Sequence, residues 1–276
     1  MKFKAICTDI DGTLLDSNRQ LSKGTLETFK RLPDSVPVIL ASSRMPAAMR
    51  HLQAELNVLG HPLICFNGGY VIRYGDESHQ PEVLESIEIP LSVCTGIIAL
   101  TKNTEIHVSL YRDDDWHAPS FDYWTERESR ITKVDAVIMD IPATIANWER
   151  NRYGAHKIMC MGPEREIEGM EQQLHDGFES DINIYRSRPT YLELAPKSIS
   201  KATGLELVLR RYYDISMAEV IAFGDNYNDI ALLAKAGWGV AVSNAKDEVK
   251  AVANEITRDS KADGVAASLR KYFSID

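Results

Sequence analysis

A series of short, unbroken apolar runs constrains this chain more than any other feature. They are Phe3, Ala5, Ile6 and Cys7; Val36–Ala41; Pro62–Phe66; Glu219–Phe223; and Gly239–Val242. A strand with one wet face alternates apolar and polar residues, whereas a strand buried on both faces reads as a continuous run. Stretches of helical spacing lie between the runs. Ser22–Leu32 places Leu26 and Phe29 on one stripe with Ser22 as a cap, and Pro46 suits the first turn of the next helix. Ser200 caps a helix carrying Lys201, Leu205, Val208 and Leu209; Asn228–Ala236, Asp247–Ala253 and Gly264–Tyr272 follow. Strand, polar tip, helix and strand again is the rhythm of an α/β fold with a doubly wound parallel sheet. Such sheets bind ligands at the carboxyl ends of their strands.

From about Pro81 the rhythm changes. Leu91–Thr101 and Phe121–Thr132 read as helices, and Ile106–Leu110 and Lys157–Met161 as strands. Pro163 opens a helix whose Ile167, Met170, Leu174 and Phe178 share one stripe, and Ile182–Tyr185 alternates. From Tyr191, with Leu192-Glu193-Leu194 leading to Lys197, the first pattern is read as resuming. The expectation is a discontinuous core domain of residues 1–82 and 190–276, split by an inserted α+β domain over 83–189.

Composition removes several functions. A net charge of −9 offers no basic excess to release counterions, which argues against broad binding of nucleic acid or of an anionic membrane. Cys7, Cys65, Cys94 and Cys160 are scattered in apolar stretches without a Cys-x-x-Cys pair, so they read as small core residues in a reducing compartment. The N-terminal apolar stretch is too short for a signal peptide, and no run approaches the roughly 20 residues of a membrane span. A soluble, cytoplasmic protein is expected. Its oligomeric state is not legible, because an acidic surface neither favours nor excludes dimers. An acidic chain that handles an anion must place a few cations locally.

The chemistry concentrates at strand ends. Asp9-Ile10-Asp11-Gly12-Thr13 sets two carboxylates at one strand tip, where they repel unless a cation or a proton lies between them. Either a divalent metal binds there, or one carboxyl is a protonated acid while the other is an ionised nucleophile; both can hold at once. Gly12 permits a sharp turn, and the N–H groups and hydroxyl around Thr13 could face an anion. An ordinary polar turn is the plainer alternative. Ser42 closes the second run, and Asp225, Asn228 and Asp229 close the fourth, with Lys201 opening a helix. Asp225 and Asp229 would share a face if their turn ran directly into a helix. Several carboxylates with all-oxygen ligation point to Mg²⁺, while Lys201 and the Ser42 hydroxyl suit phosphate oxygens. Taken singly, Lys201 could be a solvated helix lysine, and Asp229 could merely favour a helix N-terminus.

In this order, four stretches resemble the motifs of the haloacid dehalogenase (HAD) superfamily. They are Asp9–Thr13, Ser42 after Val38–Ala41, Lys201 within Lys197–Lys201, and Gly224–Asp229. The chain resembles the Cof-type branch (subclass IIB), in which a large cap is inserted after the third strand of a Rossmann-like core. Asn67-Gly68, Val242–Ala245 and Asp263–Ala266 echo the same family. The resemblance implies a Mg²⁺-dependent phosphatase acting on a small phosphorylated metabolite, a sugar phosphate by analogy, with the cap choosing the leaving group. It implies Asp9 as nucleophile and Asp11 as acid and base. It implies Mg²⁺ on Asp9, the Asp11 carbonyl and Asp225, with Asp229 orienting the ligands. Ser42, Lys201 and Asn228 would hold phosphoryl oxygens or the nucleophile, and Gly12, Thr13, Ser43, Arg44, Asn67 and Gly68 would contact phosphate or substrate. In the inserted segment, Arg186 and Arg188 could reach a second anionic group, although arginines flanking a strand are more often on the surface. Ser42-Ser43-Arg44 departs from the family's common Thr-Gly-Arg; the hydroxyl is kept, and Ser43 adds bulk. Ser260 stands where Asn is common. A phosphomutase, a phospho-receiver and a silent binding protein are the alternatives. The last two fit poorly with the chain's length and with a complete set of nucleophile and acid.

Overall fold

In the computed structural model, which describes residues 3–75 and 80–275, the N-terminal apolar runs become strands. These are β1 (Ala5–Thr8), β2 (Val38–Ala41) and β3 (Leu63–Cys65), buried along their whole length. Helices α1 (Lys23–Phe29) and α2 (Ala47–Glu55) connect them, and the Ser22 side chain caps α1 by accepting the Thr25 N–H. After β3 the chain turns at Phe66–Gly68 and returns antiparallel as β4 (Tyr70–Tyr74); β5 (Pro81–Ser86) follows it in the sheet. The sequence reading assigns no strand to either. Arg73 interrupts the apolar pattern of β4, and β5 is largely exposed.

The insertion builds its own sheet. Its elements are α3 (Leu91–Leu100), β6 (His107–Arg112), β7 (Asp115–Ala118), α4 (Tyr123–Thr132), β8 (Val137–Ile138), α5 (Ile141–Asn151), β9 (Lys157–Met161), α6 (Glu164–Phe178), β10 (Ile182–Arg188) and β11 (Tyr191–Pro196). The strand order is β10-β11-β9-β6-β7-β8, antiparallel except for β7 against β8. Alternate residues Val108, Leu110, Ile158, Cys160, Leu192 and Leu194 share a core with Ile97, Trp148, Ile167, Met170 and Leu174 of the helices. Here one sequence expectation is corrected. Tyr191–Pro196 does not return to the first sheet; it pairs with β9 and β10. Leu192 and Leu194 alternate with half-buried Glu193, the pattern of a one-sided strand.

The chain then completes the first sheet with α7 (Lys201–Tyr212), β12 (Val220–Gly224), α8 (Ile230–Lys235), β13 (Trp238–Ala241), α9 (Asp247–Val252), β14 (Glu255–Ile256) and α10 (Gly264–Phe273). Its order is β14-β13-β12-β1-β2-β3-β4-β5. The pairs from β14 to β3 are parallel. Residues up to Ser43, Met49–Glu85 and those from Ser200 onward form one compact unit; Ser86–Ile199 with Arg44–Ala48 form a second. In the core of the first, Cys7, Ile39 and Ala222 share one face of the sheet and pack with Leu205 of α7. Among the described residues no helix is long and apolar enough to cross a membrane. All four cysteines are buried. Because β1 leads to β2 on one side and β12 to β13 on the other, the carboxyl ends of β1 and β12 lie at the point where the winding reverses.

Candidate active site

β1 and β12 run parallel in register through Thr8 and Phe223, so the next residues leave the ladder side by side, the Asp9 N–H donating to the Phe223 carbonyl at 3.0 Å. Asp9 is thus held, 5% exposed, where the strand ends. The turn that follows closes on itself, with the Leu14 N–H donating to the Ile10 carbonyl at 3.0 Å. Gly12 takes φ +84°, and a Cβ there would lie 2.4 Å from Asp225 Oδ2. Only glycine lets the loop lie this close to the second acidic turn. Thr13 Oγ1 donates to Asp225 Oδ1 at 2.9 Å. The Asp11 side chain is 37% exposed at the mouth, with Arg19 Nη1 3.3 Å from its Oδ1.

The second acidic turn differs from its sequence expectation. Asp225 and Asp229 do not share a face of one helix. Tyr227–Asp229 is a short 3-10 turn capped by Asn226, and α8 begins only at Ile230. Asp229 instead folds back, its Oδ2 accepting the N–H groups of Asp225 at 2.9 Å and Asn226 at 3.0 Å. Those bonds satisfy a fully buried carboxylate and aim its other oxygen at Lys201.

Lys201 opens α7 directly after its cap Ser200, inside the Ser200–Thr203 capping box. Its ammonium is fully buried and reaches Asp9 Oδ1 at 2.5 Å and Asp229 Oδ1 at 2.6 Å. Burial lowers the Lys201 pKa, but Asp229 and Asp9 more than reverse this and keep the ammonium charged. Burial pushes the Asp9 carboxyl well above the usual range against the pull of Lys201, with Asp229 and Asp225 adding to the rise. Asp225 is pushed up to about 7 by burial and by Asp229, although the Thr13 hydroxyl and Lys201 oppose this.

Oxygens of Asp9, Asp225 and Asp229 lie within 4.8 Å of one another. One buried ammonium cannot balance three ionised carboxylates, and their mutual repulsion adds to the burial that makes Asp9 and Asp225 hold protons more readily than usual. An all-oxygen set with surplus negative charge fits a hard divalent cation.

Around this centre, Ser42 is buried at the end of β2, next to β1, and its carbonyl accepts the Asn67 N–H at 2.9 Å; Ser43 is half-buried. Asn67 holds the left-handed conformation at φ 60°, and its Oδ1 accepts from Asn228 Nδ2 at 2.9 Å. Gly68, at φ +105°, lies against the Ser200 carbonyl, where a Cβ would be 2.4 Å away. The first unit therefore joins Asp9, Gly12, Thr13, Lys201, Asp225 and Asp229 directly, and links Ser42, Asn67 and Asn228 in a second chain of bonds. Arg44 and Arg186 fall in the second unit. Arg44 is buried, with Nη1 donating to the Ala48 carbonyl at 2.9 Å. Arg186, half-buried on β10, meets Glu171 at 3.1 Å and Glu168 at 3.4 Å on α6. Arg19 was not singled out from sequence. Its only cue is the turn-forming Asp16-Ser17-Asn18, in which Asp16 Oδ1 accepts the Asn18 and Gln20 N–H groups.

A doubly wound sheet with an aspartate pair just beyond the tip of a central strand and an α+β insertion is the architecture of HAD-type hydrolases. The family described as haloacid dehalogenase-like hydrolase matches residues 6–269, and the chain belongs to that family as a phosphatase; its fold, a mainly parallel core sheet with a second, mixed sheet as a cap, is that of the Cof-type subclass IIB. It is 30% identical to 5-amino-6-(5-phospho-D-ribitylamino)uracil phosphatase YitU of Bacillus subtilis, over 98% of this chain and 97% of that one. It is 28% identical to pyridoxal phosphate phosphatase YbhA of Escherichia coli, over 99% and 100%. A crystal structure of a haloacid dehalogenase-like hydrolase from Bacteroides thetaiotaomicron matches with a TM-score of 0.86 and 28% identity, covering 98% of this chain and all of that one.

Proposed function

We propose that this phosphatase hydrolyses a small phosphorylated metabolite, with a sugar phosphate as the first candidate, through an aspartyl phosphate on Asp9 and with Mg²⁺ as cofactor. The observation that carries the reading is the convergence of Asp9 with Lys201, Asp225 and Asp229, while Asp11 stands two residues on at the exposed mouth. The Asp9 carboxylate attacks phosphorus as the ester P–O bond breaks, and Asp11 gives its proton to the departing oxygen. Asp11 then takes a proton from water, whose oxygen attacks phosphorus; the Asp9–phosphorus bond breaks and inorganic phosphate leaves. Asp9, the Asp11 carbonyl and Asp225 would hold Mg²⁺, with Asp229 orienting them; the ion would supply positive charge opposite the phosphoryl oxygens. Lys201 holds Asp9 in place, and we assign Ser42 and Asn228 to the phosphoryl oxygens.

The relatives support the class and leave the leaving group open, since YitU and YbhA bear the names of unlike substrates. We assign that choice to the inserted cap. The test is phosphate release from a panel of sugar phosphates, phosphoglycolate, nucleotides, flavin mononucleotide and pyridoxal phosphate with Mg²⁺, beside Asp9→Asn. Release by the wild type that disappears in Asp9→Asn and on chelation is the expected result. Release that survives Asp9→Asn would place the nucleophile elsewhere. A product phosphorylated on a second hydroxyl, in place of free phosphate, would make the enzyme a mutase.

A further inference from the structure

Two stretches singled out in the sequence, Val242–Ala245 and Asp263–Ala266, have no part in the chemistry above, yet the first reaches the loop that carries the aspartate pair and the second reaches Ser22, where the connection from that loop enters α1. The segment after β13 grips both acidic turns at once. Asn244 Nδ2 donates to the Gly12 carbonyl at 2.8 Å, and the Lys246 N–H donates to the Asp225 carbonyl at 3.0 Å. The Asn244 amide is itself aimed, since its Oδ1 accepts the Ser260 N–H at 2.9 Å. A second tie lies further on, where Ser22 Oγ donates to Asp263 Oδ1 at 2.5 Å. The stretch from Gly12 to Ser22, which includes Arg19, is therefore anchored near both ends to the C-terminal part of the first unit.

These ties have a physical reason. β1 and β12 are locked by their ladder only as far as Thr8 and Phe223. Beyond it, the turns carry carboxylates that repel one another. Asp225 is touched by the face of Gly12 and by the Thr13 hydroxyl, so the direction of the Gly12 carbonyl sets how the loop meets it.

We propose that Asn244 is a positioning residue of the phosphoryl-transfer site, fixing the Asp9–Thr13 loop against Asp225 through the Gly12 carbonyl. The inference rests on the proposed function and adds a residue that contacts neither reacting carboxylate through its described bonds.

The test compares Asn244→Ala, which removes both side-chain bonds, with Asn244→Asp, which keeps the acceptor for the Ser260 N–H and loses the donor to Gly12. Thermal melting and circular dichroism establish folding. Steady-state kinetics follow with p-nitrophenyl phosphate and Mg²⁺, and with the best substrate of the panel. Both variants are expected to lose kcat by about tenfold or more well below their melting temperatures, with KM changed by less than about twofold, because small misplacements act on the reacting geometry. Wild-type kcat in both folded variants overturns the proposal. So does a loss confined to Asn244→Ala, which makes the Ser260 bond the relevant one, or a loss confined to Asn244→Asp, which makes it an effect of added charge. Unfolding of both would make Asn244 a purely structural residue and overturn it as well. A wild-type chain that releases phosphate from nothing overturns the site reading itself, which separates that failure from failure of this inference.

Discussion

At Lys201, burial and charge pull in opposite directions, and the balance defines the site. An ammonium with no solvent exposure persists because two carboxylates contact it at 2.5 and 2.6 Å. Lys201→Met keeps most of the stem and removes the charge, leaving Asp9 and Asp229 facing each other in a dry environment. Breaking a buried ion pair in this way costs about 3–5 kcal/mol. We expect a loss of that order in urea denaturation without added divalent cation, together with loss of phosphate release. A variant within about 1 kcal/mol of wild type would show that the ammonium does not balance these carboxylates. The sequence made Asp9, Asp11, Lys201 and Asp225 legible because each stands at a recognisable strand or helix end. It could not show that Asp229 folds back onto its own turn, or that Arg19 reaches Asp11, since both depend on turn geometry rather than on periodicity.

Among the elements, α7 has the task of delivering Lys201, and its first turn is fixed by a reciprocal cap. The Ser200 side chain accepts the Thr203 N–H, while Thr203 Oγ1 accepts the Ser200 N–H at 3.0 Å. Ser200→Ala removes one half of that box. It is expected to cost about 1 kcal/mol in denaturation and to lower kcat, because the first helical residue is the one whose ammonium must be placed. An unchanged kcat would show that Lys201 is held by its carboxylates alone. The strands buried on both faces could be read directly from the chain, as could helices with a clear stripe. The shorter pieces of the insertion could not. β8 is a two-residue edge strand exposed throughout, and β7 has four residues of which the first is exposed, cues too brief to carry a pattern. β11 was legible as a strand but not as a partner of β9, because pairing is a long-range choice that alternation alone does not make.

Over the whole molecule, acidity and burial combine to give stability a definite dependence on pH. The α/β class and the presence of an inserted α+β unit follow from where continuous runs give way to alternation, but the buried polar groups that link distant segments leave no such trace. His156 is the clearest case. It is fully buried, its Nδ1 accepts the Asp113 N–H at 2.9 Å, and its Nε2 lies 3.0 Å from Ser86 Oγ. An imidazole that accepts at Nδ1 is neutral, with its proton on Nε2. Burial, reinforced by Arg112, lowers its pKa from 6.5 to about 3. Between those values the unfolded chain binds a proton that the folded chain refuses. Stability therefore falls as pH drops from about 6.5 towards 3, by up to about 1.4 kcal/mol per pH unit for this one group. His61 and His117, also lowered by burial, act in the same direction, while Asp225, raised to about 7, acts against them. The informative measurement is thus a comparison in which those groups are common to both proteins. Urea denaturation of wild type and His156→Gln at pH 7, 6, 5 and 4 is expected to give a shallower decline for the variant below about pH 6.5. Parallel slopes would mean that His156 takes up its proton in the folded state as readily as in the unfolded one.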